Sequence, residues 1–126
     1  MVECDRLIKL NKEKEILTEE YTKKLNSLNK YIRVMENDTI IEESDSLEVK
    51  VFKLYMILNS VVRVAEKINE MGYRIKTNTY VGERKYKSND ITDIIINSDV
   101  EIPTELKESV REINAMNAEK AYGRWG

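Results

Sequence analysis

Five cations fall close together in the middle of the chain: Arg74, Lys76, Arg84, Lys85 and Lys87. Ammonium and guanidinium groups at this density suit the neutralisation of phosphates. They alternate with Tyr73, Ile75, Thr77 and Tyr86, so a β-ribbon through both stretches would sort them by face. Turning Ile75 and Tyr86 inward collects Arg74, Lys76, Lys85 and Lys87 on the outside. Like charges side by side on a short ribbon are costly unless a polyanion meets them. Just upstream, Arg63 and Lys67 are placed to clamp a phosphate backbone, and just downstream Asn89 and Thr92 are candidates for base or phosphate contacts. An ordinary solvated hairpin is the plainer alternative.

The patch is local rather than compositional. Of 126 residues, 21 are Lys or Arg and 23 Asp or Glu, a net charge of −2. Residues 61–88 hold seven basic and three acidic side chains, net +4, while residues 41–60 are net −2 and residues 89–100 net −3. Other chemistries find little support. The chain has no histidine, so His-based acid–base catalysis and His-ligated metals are excluded, and a single cysteine, Cys4, makes neither a disulfide framework nor a zinc site. Adjacent carboxylates such as Glu19/Glu20 and Glu42/Glu43 belong to solvated runs. No cofactor is expected, and an enzyme is the least favoured class. No apolar run reaches the roughly 20 residues of a membrane helix, and the acidic start Met1-Val2-Glu3-Cys4-Asp5 is unlike a signal peptide. A cytoplasmic protein is expected.

The elements that must position these residues are mainly helical. Residues 3–36 lack Gly and Pro and are rich in Leu, Lys and Glu, which predicts one long helix within a first segment, 1–37. A heptad seam runs through Leu7, Leu10, Leu17, Tyr21, Leu28, Tyr31 and Met35, interrupted by Lys14 and Lys24. Such a helix spans roughly 50 Å, which favours a homodimer through this seam over packing on the chain's own core. Ile40-Ile41 reads as a short strand. Ser46 or Asp45 caps a helix over Leu47–Leu58, and Ser60 caps another over Val61–Met71, stopped by Gly72. Strands are expected over Tyr73–Thr77 and Glu83–Lys87, then a helix over Asn89–Asn97 capped by Ser88. Pro103 opens a last helix with an apolar stripe of Leu106, Val110, Ile113 and Met116, ending near Tyr122-Gly123. The fold class is therefore mainly α with a small β-hairpin. It reads as a winged helix-turn-helix-like domain over residues 46–100, preceded by a long N-terminal helix and followed by a C-terminal helix and tail over 101–126.

Val51-Phe52-Lys53-Leu54-Tyr55, then the run from Ser60 to Thr77 with Val64-Ala65, Ile68-Asn69 and Gly72, resembles the DNA-binding "recombinase" domain of large serine recombinases. In that family a Ser-led helix with an aliphatic-Ala pair ends in Asn, and a Gly precedes a Thr- or Lys-rich strand. The similarity continues with a Ser-led helix from Ser88 to Ile95-Ile96-Asn97, so that it spans about residues 47–98. It implies a DNA-reading module alone, since no nucleophilic Ser in an Arg-rich setting precedes it. Asp90 and Asp93 depart from a groove-binding helix, because carboxylates repel phosphates; near a helix start they answer the macrodipole.

The leading expectation is a dimeric, sequence-specific protein binding double-stranded DNA, a transcriptional regulator or accessory factor of a phage or plasmid. Five phosphate contacts would give a salt slope of roughly −4 to −5 in log K against log[salt]. The alternative is a phage-encoded anti-defence inhibitor that binds a protein partner. Its docking element would be the long helix or the tail Tyr122-Gly123-Arg124-Trp125-Gly126, where Trp beside Arg has the composition of an interface anchor.

Overall fold

Four glycines and one proline leave long stretches of good helix formers uninterrupted. In the computed structural model, which describes residues 4–125 and side chains as far as Ala121, the chain is accordingly mainly helical with one two-stranded antiparallel sheet. The order is α1 (Asp5–Asn37), α2 (Leu47–Leu58), α3 (Val61–Glu70), β1 (Ile75–Lys76), β2 (Glu83–Arg84), α4 (Ser88–Asn97) and α5 (Thr104–Trp125).

The core is built around α2, which packs against α3, α4 and α5. Apolar residues on nearly every side of α2 make this placement necessary: Val51, Phe52, Leu54, Tyr55 and Met56 are all buried. Around it α3 contributes Val64, Ala65 and Ile68, α4 contributes Ile91 and Ile95, and α5 contributes Leu106 and Val110. Full burial of each such side chain contributes about 1.5–3 kcal/mol. Met116, expected on the α5 stripe, is exposed instead: it borders α1 beside Leu28 and Tyr31, while the next residue, Asn117, turns to the core and donates to the Tyr55 hydroxyl at 2.8 Å.

Helix ends follow local chemistry. The Ser46 hydroxyl accepts from the Val49 N–H at 3.3 Å and the Ser60 hydroxyl from the Arg63 N–H at 3.3 Å. Asn59 takes the left-handed conformation (φ 52°) that lets α2 stop and α3 start within two residues. Gly72, at φ +95°, turns the chain out of α3 toward the hairpin. At α4 the cap differs from expectation. Ser88 is the first helical residue, and the Lys87 N–H donates to the Asp90 carboxylate at 2.8 Å, so the residue three positions in closes the end. Pro103 stands just ahead of α5, its carbonyl accepting from the Lys107 N–H at 3.0 Å.

Of three expected strands, one is absent and two are shorter. Ile40-Ile41 forms none, because the Lys53 ammonium takes the Ile40 carbonyl at 2.7 Å and also pairs with Asp45 at 2.8 Å. The hairpin ladder covers only Ile75–Lys76 and Glu83–Arg84 rather than five residues on each side.

Helix α1 meets the rest of the molecule only near its C-terminal end. It lies against α5, with Val34 buried and Tyr31 half-buried, and the two helices run antiparallel, as Arg33 reaches Glu105 (3.0 Å) and Lys30 reaches Glu112 (2.8 Å). Residues 4–26 are exposed throughout. No helix among the described residues is long and apolar enough to cross a membrane.

Candidate nucleic-acid interface

Asn69 is the side chain that takes the place of a strand in holding the hairpin to the body. Asn69, next to last in α3, accepts from the Tyr86 N–H at 2.8 Å and donates to the Tyr86 carbonyl at 3.0 Å. Its amide thus copies the pair of bonds that a neighbouring strand would make. That is why β2 stops at Arg84: the backbone beyond it pairs with a side chain. The base is further anchored by Lys50, only 8% exposed, which donates to the Tyr73 hydroxyl at 2.8 Å and lies 5.2 Å from that ring's centre. Burial pushes the Tyr86 hydroxyl above its ordinary pKa.

Register decides which cations share a face. Ile75 stands opposite Arg84 and Lys76 opposite Glu83. Within the ladder Glu83 therefore shares the face of Lys76, an acidic group where only cations were expected, while Lys85 and Lys87 follow beyond the ladder and are exposed. The Thr77 N–H donates to the Gly82 carbonyl at 2.9 Å and closes the turn. Tyr80 stands fully exposed at its tip and Val81 largely so, a feature that charge counting passes over.

The nine expected contact residues divide into groups. Lys76, Lys85, Lys87 and Arg63 are exposed and in no ion pair among the described residues. Lys67 is exposed and lies 3.7 Å from Glu70. Arg74 is half-buried and donates to the carbonyls of Asn69 (3.0 Å) and Tyr73 (2.7 Å), so it braces the turn after α3 rather than joining the outer cluster. Arg84 is engaged: its two terminal nitrogens donate to the two oxygens of Asp90, each at 2.8 Å. This fork holds the Asp90 carboxyl down at about 2 and raises the Arg84 guanidinium. It also answers one of the two carboxylates that make α4 a poor groove helix. Asn89 is exposed at the start of α4. Thr92 is half-buried, donates to the Ser88 carbonyl at 3.2 Å, and lines a groove with Tyr55, Asn59 and Asn117, away from the hairpin cations.

On α1, six of the seven expected oligomerisation residues are exposed: Leu7, Leu10, Leu17, Tyr21, Leu28 and Met35. Tyr31 is not one of them. Its hydroxyl donates to Glu112 of α5 at 2.7 Å, and burial together with that carboxylate pushes it up to about 12. The exposed stripe runs instead through Leu25 and Ile32, one residue further round the helix than Lys24 and Tyr31. The tail side chains, Tyr122 to Gly126, lie outside the described residues. Among the described residues no group of carboxylates and cysteine is arranged to hold a metal. Compared with protein families, curated proteins and solved structures, the chain matches none.

Proposed function

We propose that this chain is a winged helix-turn-helix-like protein that binds double-stranded DNA through the hairpin and the exposed side of α3. On this reading it is a cytoplasmic regulator or accessory factor of a phage or plasmid, and a binding protein rather than an enzyme. One observation carries the reading: Lys76, Lys85 and Lys87 are exposed on a hairpin whose base is firmly tied, yet none is in an ion pair among the described residues. Cations on a held ribbon lose little freedom when they meet phosphates, so their charge is available for binding at low cost. Arg63 is exposed on α3, where it lines a groove with Glu66, Lys67 and Glu70, and Asn89 is exposed at the α4 start for polar contacts. Tyr80 at the tip is an aromatic available to stack on a base or wedge into a groove.

The number of phosphate contacts is smaller than the cation count suggests, since Arg74 and Arg84 are committed within the fold. Four contacts, from Arg63, Lys76, Lys85 and Lys87, give a slope of about −3.6 in log K against log[salt]. Fluorescence anisotropy with a random duplex across a salt series measures this. Lys85→Glu with Lys87→Glu is expected to weaken binding at least tenfold while leaving the unfolding midpoint in place. Binding that ignores salt, or ignores this double reversal, rejects the reading. Selection of bound sequences from a random pool then tests sequence specificity.

The anti-defence inhibitor is the second reading, favoured by the exposed apolar stripe of α1, which a protein partner could cover. A pull-down that survives nuclease treatment supports it over the first.

A further inference from the structure

The exposed side of α1 carries apolar residues at positions 7, 10, 17, 21, 25, 28, 32 and 35, with Lys14 at the one remaining step. Successive spacings are 3, 4, 3, 4, 4, 3, 4 and 3, the same sequence read from either end, with Tyr21 at the centre. A helix surface of this kind is complementary to itself when turned end for end. Folding it about Tyr21 sets Leu17 against Leu25 and Leu10 against Ile32, large apolar groups on both sides. Leu17 and Tyr21 are 65% and 70% exposed, so most of each side chain is available for a partner.

Charge selects the same arrangement. Glu19 and Glu20 lie just before the centre, and Lys23 and Lys24 just after it. None of the four is in an ion pair among the described residues. At about 100° per residue Glu20 and Lys24 flank one edge of the stripe, while Glu19 and Lys23 point away from it. Antiparallel pairing brings Glu20 of one copy beside Lys24 of the other, whereas parallel pairing sets that edge against the uncharged one of Asn11, Thr18, Thr22 and Asn29. The partner's path is also clear, because α5 is held on a different side of α1 by Lys30, Tyr31 and Val34. An apolar groove lined by Lys24, Leu28, Tyr31 and Met116 borders the stripe where the N-terminal half of the second helix would lie.

We infer that α1 is a self-recognition surface whose occupant is α1 of a second copy, antiparallel, with the two-fold axis passing at Tyr21. The interface is isologous and about 42 Å long, counted at 1.5 Å per residue from Leu7 to Met35. The two bodies then sit at opposite ends of one shared seam. This inference stands apart from DNA binding and does not depend on it.

Sedimentation of the full chain at tens of micromolar is expected to show twice the monomer mass, and Leu17→Glu with Leu25→Glu to return it to monomer with the fold intact by circular dichroism. Direction is read by mild oxidation in a Cys4→Ser background. Tyr21→Cys cross-links with itself, and Leu10→Cys cross-links with Ile32→Cys in a mixture, but neither Leu10→Cys nor Leu28→Cys cross-links alone. Self-cross-linking at positions 10 and 28 overturns the antiparallel seam in favour of a parallel one. A wild-type chain that stays monomeric overturns self-recognition and leaves the stripe to a different protein.

Discussion

Lys30 and Arg33 on α1 face a row of carboxylates on α5, while Lys76, Lys85 and Lys87 on the hairpin face solvent and a single Glu83. Lys30 lies 2.8 Å from Glu112 and 3.7 Å from Glu108, with its side chain only 18% exposed. Its charge is part of what docks one helix on another. The hairpin lysines cement nothing; of the two arginines, Arg84 has its own carboxylate and Arg74 braces the turn after α3 through carbonyls. The cations that dock α1 on α5 come with carboxylates, and Arg74 and Lys50 spend their donors on carbonyls and a hydroxyl; the hairpin lysines do neither, which is the contrast that the proposed DNA contact rests on.

The sharpest way to break this contrast is to reverse charge at both places. Lys30→Glu with Arg33→Glu sets carboxylates against Glu105, Glu108 and Glu112 and strands the Glu112 hydrogen bond. A loss of about 2–3 kcal/mol in urea unfolding is expected, with duplex affinity per folded molecule within twofold of wild type. The hairpin double reversal should do the opposite, costing affinity and not stability. Equal effects from the two pairs on either readout would remove the distinction.

Next in size is Asn69→Ala, which leaves the Tyr86 N–H and carbonyl without their partner. About 1–3 kcal/mol of stability should be lost, and amide exchange should quicken over residues 75–86 before it does in α2. Affinity should fall severalfold with the salt slope unchanged, because the lysines remain but their support is loose. An unchanged hairpin exchange rate would mean that the ladder and Lys50 suffice to hold it.

Parts of this arrangement are legible in the chain and parts are not, for physical reasons. The limits of α2 and the start of α3 follow from Ser46, Asn59 and Ser60, since caps act over three residues and left-handed turns over one. Hairpin length was not legible, because the residue that truncates it, Asn69, lies 17 positions away and acts only once α3 has packed. The heptad count placed Tyr31 in the outer seam for a similar reason. Periodicity shows that a position is apolar, not whether α5 or another chain covers it, and here the Glu112 carboxylate claims the Tyr31 hydroxyl. Glu83 beside Lys76 could have been found by the alternation that sorted the hairpin residues by face. The Arg84–Asp90 fork required knowing that the chain folds back between β2 and α4.

That fork gives a pH test of smaller size. Asp90 is held at about 2, down from the ordinary 3.8, chiefly by the hydrogen bonds that Arg84 donates. A carboxyl that binds its proton less readily when folded contributes stability that is full above about pH 4 and is lost as pH falls toward 2. Following the Asp90 carboxyl by NMR should give a midpoint near 2, and Asp90→Asn should flatten the acid limb of stability in that window. A midpoint near 3.8 would mean that Arg84 is free after all and belongs with the hairpin lysines as a phosphate contact.

The smallest expected effect lies beneath the acidic row of α5. Ser109 is fully buried, and its hydroxyl has no hydrogen-bond partner among the described residues. Burying a hydroxyl without a partner costs free energy that a methyl group does not incur. Ser109→Ala should therefore leave stability unchanged or raise it by up to about 1 kcal/mol, read as a higher urea midpoint at constant m-value. The result bears on what docks α1. If the hydroxyl is a passive occupant, the attachment rests on Val34 packing and on the ion pairs of Lys30 and Arg33, as the contrast with the hairpin requires. A loss of more than about 1 kcal/mol would show that the hydroxyl supports the α1–α5 contact, and charge would then be a smaller part of that attachment than the geometry of Lys30 suggests.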